Sequence, residues 1–400
     1  MNLLEEIQNA PVEWKELGEV TILKRGRVMS KGYLEENRGE YPVYSSQTLH
    51  RGEIGKITTY DFNGEFLTWT TDGANAGTVF YRIGKFSITN VCGIIEVTDT
   101  QEVNCKFLYY YLSTVTKEHV VSGMGNPKLM SNVMAKIKIP IPPLEIQEKI
   151  VQTLDKFTDY VTELTSELTL RQKQYSYFRD YLLNFEEDSY KVEWKSLGEV
   201  CLSTKTISWK NEDGQKQFKY IDLSSVSREN KKITDVTIIT KSTAPSRAQK
   251  IIKKDDILFA TTRPMLKRFT KVTKEYNYQI CSTGFCVLRP SDKILSNYLY
   301  HLVASSNFYD YVERNQSGTS YPAISDNLVK NYQFPLPPLS IQEKIVHVLD
   351  NFDTVCNDLN IGLPKEIELR QKQYEYFRNQ LLTYTAEGVY TDSTVQTRPN

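Results

Sequence analysis

Residues 244–269 read APSRAQKIIKKDDILFATTRPMLKRF and set arginine and lysine beside serine, threonine and glutamine. Guanidinium and ammonium groups neutralise phosphates. Arginine forks, amides and hydroxyls can also read the donor and acceptor pattern of base edges. Arg247, Arg263, Lys267 and Arg268 are the candidates here, joined by Lys205 upstream and by Thr319 and Ser320 in the loop QSGTSYP (316–322). The first part of the chain offers the same vocabulary in Lys24, Arg25, Arg27, Gln47, Arg51, Asn75 and Lys128. Asn75 lies in the small polar turn TDGANAG (71–77), and Lys128 ends the exposed loop GMGNPK (123–128), whose place the 316–322 loop takes in the second part. Such turns bring backbone and short side chains close to a ligand, or simply connect two strands. Any one of these residues alone is more often a solvated surface group.

Catalytic chemistry is not written in the sequence. GEIGKIT (52–58) has the look of a phosphate loop, but it lacks the glycine that should precede Gly55-Lys56 across four intervening residues and the hydroxyl residue directly after the lysine. No GxSxG, HExxH or GxGxxG occurs, and Asn126-Pro127-Lys128-Leu129 departs from the Asn-Pro-Pro-aromatic loop of adenine methyltransferases at both following positions. No pair of carboxylates stands out. Six cysteines are scattered without a CxxC and only four histidines are present, so buried thiols in a reducing cytoplasm are expected rather than zinc or disulfides.

The elements that must carry these loops repeat. PIPPLEIQEKIVQTL (140–154) returns as PLPPLSIQEKIVHVL (335–349), LRQKQYSYFRDYLLNF (170–185) as LRQKQYEYFRNQLLTY (369–384), and VEWKELGEV (12–20) as VEWKSLGEV (192–200). Ile150, Leu154, Phe157, Val161, Leu164, Leu168, Tyr175, Phe178, Leu182 and Phe185 recur at spacings of four and three, missing only the slot near Arg171. That is the seam of a helix packed lengthwise on another helix. The second copy supplies Ile345, Leu349, Phe352, Leu359, Phe377 and Leu381. Proline at 142 and 143 suits a helix start. About 42 helical residues make a rod of roughly 60 Å. The second rod carries four extra residues around Gly362-Leu363-Pro364, a stutter that predicts a kink.

Between the repeats lie two variable regions with little mutual similarity. The first (about 21–139) reads as strands and turns, with one helix near 105–122. The second (about 201–334) has the same outline with different content, including strands at 220–226 and 257–261 and a helix near 295–313. The plan is α+β: a first domain over 1–143, a helix over 144–187, a second domain over 188–338, a helix over 339–385, and a disordered tail from 386 to 400. A duplicated scaffold that presents two different surfaces fits this distribution better than a duplicated enzyme. An ordinary intramolecular helical hairpin fits the helix pattern equally well.

Net charge is zero, with 49 basic and 49 acidic residues. It is unevenly placed: residues 188–338 hold 23 Lys and Arg against 15 Asp and Glu, and residues 144–187 hold nine acids against five bases. A basic domain on an acidic strut suits a polyanion partner. No secretory segment opens the chain, and no apolar run approaches the ~20 residues of a membrane span, so a cytoplasmic location is expected.

Together, the PLPPLxIQEKI start, the LRQKQYxYFR end, the VEWKxLGEV entry and the repetition of all three resemble the specificity subunit of type I restriction–modification systems, over residues 11–385. TELT-SELT (162–169) is similar to the four-residue repeat some members carry in the central helix. Residues 362–368, 244–248 and 256–258 resemble further family segments. The resemblance implies two target recognition domains, each reading one half of a split double-stranded DNA target. They would be separated by two antiparallel helices forming a coiled coil with a pseudo-two-fold internal repeat. It also implies two methyltransferase subunits docked on the helices and two motor–endonuclease subunits. S-adenosylmethionine, ATP and magnesium would bind those partners, with no cofactor, no metal and no catalytic residue in this chain and no membrane partner. Two other classes compete: a non-DNA two-domain coiled-coil adaptor, which would show no salt-sensitive DNA association, and a methyltransferase–specificity fusion, which would need motifs absent here.

Overall fold

The computed structural model describes residues 3–122, 125–185 and 192–383. The tail expected from 386 onward and part of the 123–128 loop lie outside the described residues. Two compact units partition the chain. One takes residues up to Thr162 together with those from Leu369 onward, and the other takes Glu163–Glu368. Both cuts fall inside helices, so each unit combines a variable region, the start of its own rod and the end of the other rod.

In the first unit a six-stranded sheet runs in the order Thr21–Arg25, Cys92–Val97, Phe62–Thr70, Val79–Ile88, Arg38–Tyr44, Glu53–Ile57. All neighbours are antiparallel except Arg38–Tyr44 on Val79–Ile88. Trp69 anchors the core, fully buried, with its indole N–H on the Leu129 carbonyl at 2.9 Å. Gly93 lets it in: a Cβ there would stand 2.2 Å from the Trp69 ring. The helix Cys105–Val115 packs into the same core.

The second unit builds its variable region from two four-stranded sheets. One is ordered Cys201–Leu202, Phe285–Pro290, Ile257–Ala260, Phe269–Lys271, and the other Thr237–Ile239, Phe218–Ile221, Ile280–Ser282, Ala248–Ile251. The single helix expected near 295–313 is two, Ser296–Ala304 and Ser306–Asn315. Ser305 divides them. Its extended backbone ends the first, and its hydroxyl accepts from the Phe308 N–H to cap the second.

The repeated motifs form the same frame in both units. The entry strand Glu13–Glu16 pairs with Lys138–Ile141, placing Trp14 opposite Pro140; Glu193–Ser196 pairs with Gln333–Leu336, placing Trp194 opposite Pro335. The glutamine of each IQEKI is fully buried and clasps its domain. Gln147 donates to the carbonyls of Glu102 and Pro142 and accepts from Asn104 N–H; Gln342 donates to Lys293 and Pro337 and accepts from Leu295 N–H. Two turns on, Asp155 receives Lys106 and Tyr110, while Asp350 receives Asn297 and His301.

The rods are the helices Leu144–Leu183, Leu339–Asn357 and Leu363–Leu382. In the first unit Phe157 stacks on Phe377 at 5.1 Å, with Ile150, Leu154 and Leu381 buried and Val161 half-buried. In the second, Phe352 stacks on Phe178 at 5.5 Å and on Tyr175 at 6.3 Å, with Ile345 and Leu349 buried and Leu164, Leu168 and Leu182 half-buried. The start of one rod therefore meets the end of the other within each unit, an antiparallel pairing.

Leu359 departs from the expected seam. It lies in a turn and is 45% exposed. The four extra residues loop out and break the helix instead of kinking it. Asp358 Oδ1 accepts from the N–H groups of Asn360 and Ile361, and Gly362 closes against Thr354, whose carbonyl oxygen would be 2.5 Å from a Cβ. Pro364 then sits in the first turn of Leu363–Leu382, where no N–H is required.

Candidate nucleic-acid interface

In each unit a central strand runs out into a Thr-Thr turn that is held by a second loop. After Phe62–Thr70, the Thr71 carbonyl accepts from Leu129 N–H at 2.9 Å, and Gly73 N–H donates to the Pro127 carbonyl at 3.0 Å. After Ile257–Ala260, the Thr261 carbonyl accepts from Ile324 N–H at 2.9 Å, and Arg263 N–H donates to the Pro322 carbonyl at 2.7 Å. Bridges Asp72–Lys128 and Val121–Lys128 match Thr262–Ala323 and Ser317–Ala323. The correspondence superimposes Gly73, with φ at 94°, on Arg263, with φ at 48°. A left-handed backbone is free for glycine and costs an arginine about 1 kcal/mol.

The first unit gathers Arg25 and Lys128 around this turn. Arg25 donates to Thr71 Oγ1 and to Asp72 at 3.1 Å, and Lys128 reaches Asp72 at 3.8 Å. Asn75 is exposed at the tip. Along the sheet edge Lys24 pairs with Glu96 at 3.2 Å and Arg27 with Asp61 at 3.0 Å. Gln47 serves the protein itself, donating to the Glu53 carbonyl at 2.6 Å. Arg51 stands apart on its own exposed turn at φ 55°, beside His50 at φ 50°.

The second unit groups Arg263, Lys267, Thr319 and Ser320, all exposed. Arg263 lies over the Tyr321 ring at 4.4 Å, and Lys267, left-handed at φ 54°, over the Tyr309 ring at 4.8 Å. Arg268 is turned inward. It donates to the Leu223 carbonyl, and its Nε is buried without a partner. Arg247 and Lys205 are exposed on neighbouring segments. No carboxylate among the described residues forms an ion pair with Lys205, Arg247, Arg263, Lys267 or Arg268. Lys231, not singled out from sequence, is left-handed too and ties this tip to its neighbour by donating to the Lys267 carbonyl at 2.7 Å. Burial, then the nearby Lys267 charge, pushes its ammonium down to about 8.

Residue chemistry does not single out the buried Gln147 and Gln342 or the gripping Asp155 and Asp350. Their signal was present in the repeats IQEKI and LDKF/LDNF. Arg82, 5% exposed, had no sequence signal. Among the described residues no group of three or more His, Cys, Asp or Glu could hold a metal, and no helix is long and apolar enough to cross a membrane.

Two unlike variable regions on one repeated frame are the plan of a duplicated scaffold, and comparison with known proteins gives its family. The family model for the type I restriction modification DNA specificity domain matches twice, at residues 10–171 and 190–369, and the chain belongs to that family. The EcoR124I/EcoR124II specificity subunit of Escherichia coli is 30% identical over 427 residues, covering 96% of this chain and 97% of that one. The MpnII specificity subunit of Mycoplasma pneumoniae is 40% identical over 187 residues, 46% of this chain and 56% of its own. The crystal structure of a type I S subunit from M. genitalium shares the fold, with a TM-score of 0.58 at 18% identity, covering 94% of this chain and 98% of that one.

Proposed function

We propose that this chain supplies the DNA sequence specificity of a type I restriction–modification complex, each unit reading one half of a bipartite duplex target. The observation that carries this reading is the matched pair of turns at Gly73 and Arg263: same frame, different side chains, as two readers of different half-sites require. Unpaired cations on the second tip supply phosphate affinity, and exposed hydroxyl, amide and guanidinium groups supply base discrimination, each good bidentate contact being worth ~1–3 kcal/mol. The paired helices set the unread gap and dock methyltransferase subunits. Those partners and the motor–endonuclease subunits hold S-adenosylmethionine, ATP and magnesium.

Insertion of one TELT unit into residues 162–169 adds ~6 Å of helix, the reach of one or two base pairs at ~3.4 Å each. Methylome sequencing of cells co-expressing the variant with its methyltransferase should show a changed gap and both half-sites unchanged. Altered half-sites would contradict the reading, and an absence of any defined methylated sequence with the unmodified chain would favour an adaptor without DNA specificity.

A further inference from the structure

The first unit buries one arginine with no carboxylate beside it. Arg82, on Val79–Ile88, lies over the Tyr44 ring at 3.6 Å and the Phe80 ring at 4.6 Å, and makes no ion pair among the described residues. An unpaired buried cation is costly. Its hydrogen bonds show where it is engaged. Nε donates to Thr68 Oγ1 at 3.2 Å, and Nη2 donates to the Arg51 carbonyl at 2.6 Å. That carbonyl belongs to the turn Leu49–Gly52, whose His50 and Arg51 are both left-handed and exposed. Two further bonds close the turn from below: Ser45 N–H to the Gly52 carbonyl at 2.9 Å, and Gln47 Nε2 to the Glu53 carbonyl. Two strained non-glycine residues in succession persist only where the surroundings over-determine them. Here the determinant is a guanidinium whose rigid fork holds two acceptors in different directions, which one ammonium cannot do.

We propose that Arg82 is a positioning residue that presents His50 and Arg51 as a base-reading tip of the first recognition domain, Arg51 facing acceptor-bearing base edges of duplex DNA. The inference rests on the DNA-reading function above and adds the tip and its support. Burial lowers the Arg82 guanidinium to about 10, so it stays charged at neutral pH and adds positive potential under the tip.

The test uses the full chain complexed with its methyltransferase subunits and a pool of random-sequence duplexes. Selection with the unmodified complex defines the preferred sequence, and failure at that step would sink the DNA-reading function itself. Arg51→Ala should erase preference at one or two positions of one half-site. Arg82→Met should erase the same positions and weaken the selected duplex about tenfold, the scale of one lost bidentate contact, while random-duplex affinity stays within about twofold. In a His50→Ala, Arg51→Ala background, Arg82→Met should change affinity less than about twofold. Arg82→Lys keeps the charge but loses the fork, and should behave like Arg82→Met. Rescue by lysine, equal weakening of selected and random duplexes, or an undiminished effect in the tip-less background would each overturn the proposal. Should Arg82→Met not fold, Arg82→Lys and Arg51→Ala carry the comparison: preference lost at different positions, or not lost, overturns it.

Discussion

Four candidate cations of the first unit already face carboxylates: Lys24 on Glu96, Arg25 and Lys128 on Asp72, Arg27 on Asp61. In the second unit Arg263 and Lys267 rest on tyrosine rings instead. Arg25 and Lys128 in the first unit, and Arg263 and Lys267 in the second, decorate equivalent strand-end turns held by the same pair of backbone bonds, while Lys24 and Arg27 lie along the sheet edge. The frame is therefore conserved between the units to the level of single hydrogen bonds, while the charge it displays is not. A cation stacked on a ring stays available to a phosphate. A cation paired with a carboxylate must first exchange partners, although exposed pairs of this kind hold by less than about 1 kcal/mol. The first unit should bind backbone more weakly and gain more from releasing its acids.

The largest effect that would break this comparison lies in the shared frame. Gln342→Ala leaves two carbonyls and one N–H without their buried partner and should cost about 3 kcal/mol, and Gln147→Ala should cost the same in the other unit. Denaturant midpoints that differ strongly between the two would show that the frames are not equivalent.

The carboxylate grips come next. Burial pushes the Asp350 carboxyl up, but the hydrogen bond and charge of His301, with help from Asn297, outweigh it and hold the group below its usual value. A depressed carboxylate stabilises the fold above its ordinary pKa of about 4 and loses that contribution as pH falls through the lowered folded value. Asp350 is 39% exposed, so solvent screens the pair; Asp350→Asn should cost about 1 kcal/mol at neutral pH and flatten the acid side of a melting-temperature profile. An unchanged acid limb would discard the His301–Asp350 pair as its origin.

A smaller change sharpens the contrast between the tips. Arg263→Gly places glycine where the first unit has Gly73, and should raise stability by up to about 1 kcal/mol while weakening DNA binding and lowering the salt slope by about one. Stability and binding both falling would mean that Arg263 serves the fold. The smallest effect is Asp72→Asn, which releases Arg25 and Lys128. It should tighten random-duplex binding by a few-fold at low salt and lose the advantage at high salt. Weaker binding would show that the ion pair organises the tip.

Much of the frame was legible because its requirements are local or repeat. Gln147 and Gln342 each meet an equivalent set of two carbonyls and one N–H, so the same residue recurs 195 positions on. Phe157 and Phe352 follow their IQEKI motifs at the same distance, and Phe178 and Phe377 hold the same place in LRQKQYxYF, so both stacked pairs recur with the motifs. Periodicity puts Leu359 in the seam because it counts residues and cannot see that Asp358 and Gly362 turn the chain out of the helix. The inward turn of Arg268, the single six-stranded sheet against two four-stranded ones, and the hub at Arg82 left no periodic trace.

By itself the sequence determined the family, the duplicated plan, the helical rods and a pool of cationic and polar loop residues, since patterning and repetition are properties of the chain. Only the tertiary structure decided which of those residues face outward and in what charge state of pairing. Arg263 becomes a left-handed, ring-stacked cation because Pro322, nearly sixty residues on, accepts its N–H. Arg51 is presented because Arg82, 31 residues on, donates to its carbonyl. Contacts across such separations are set by how sheets and loops pack, and no local window of the chain encodes them.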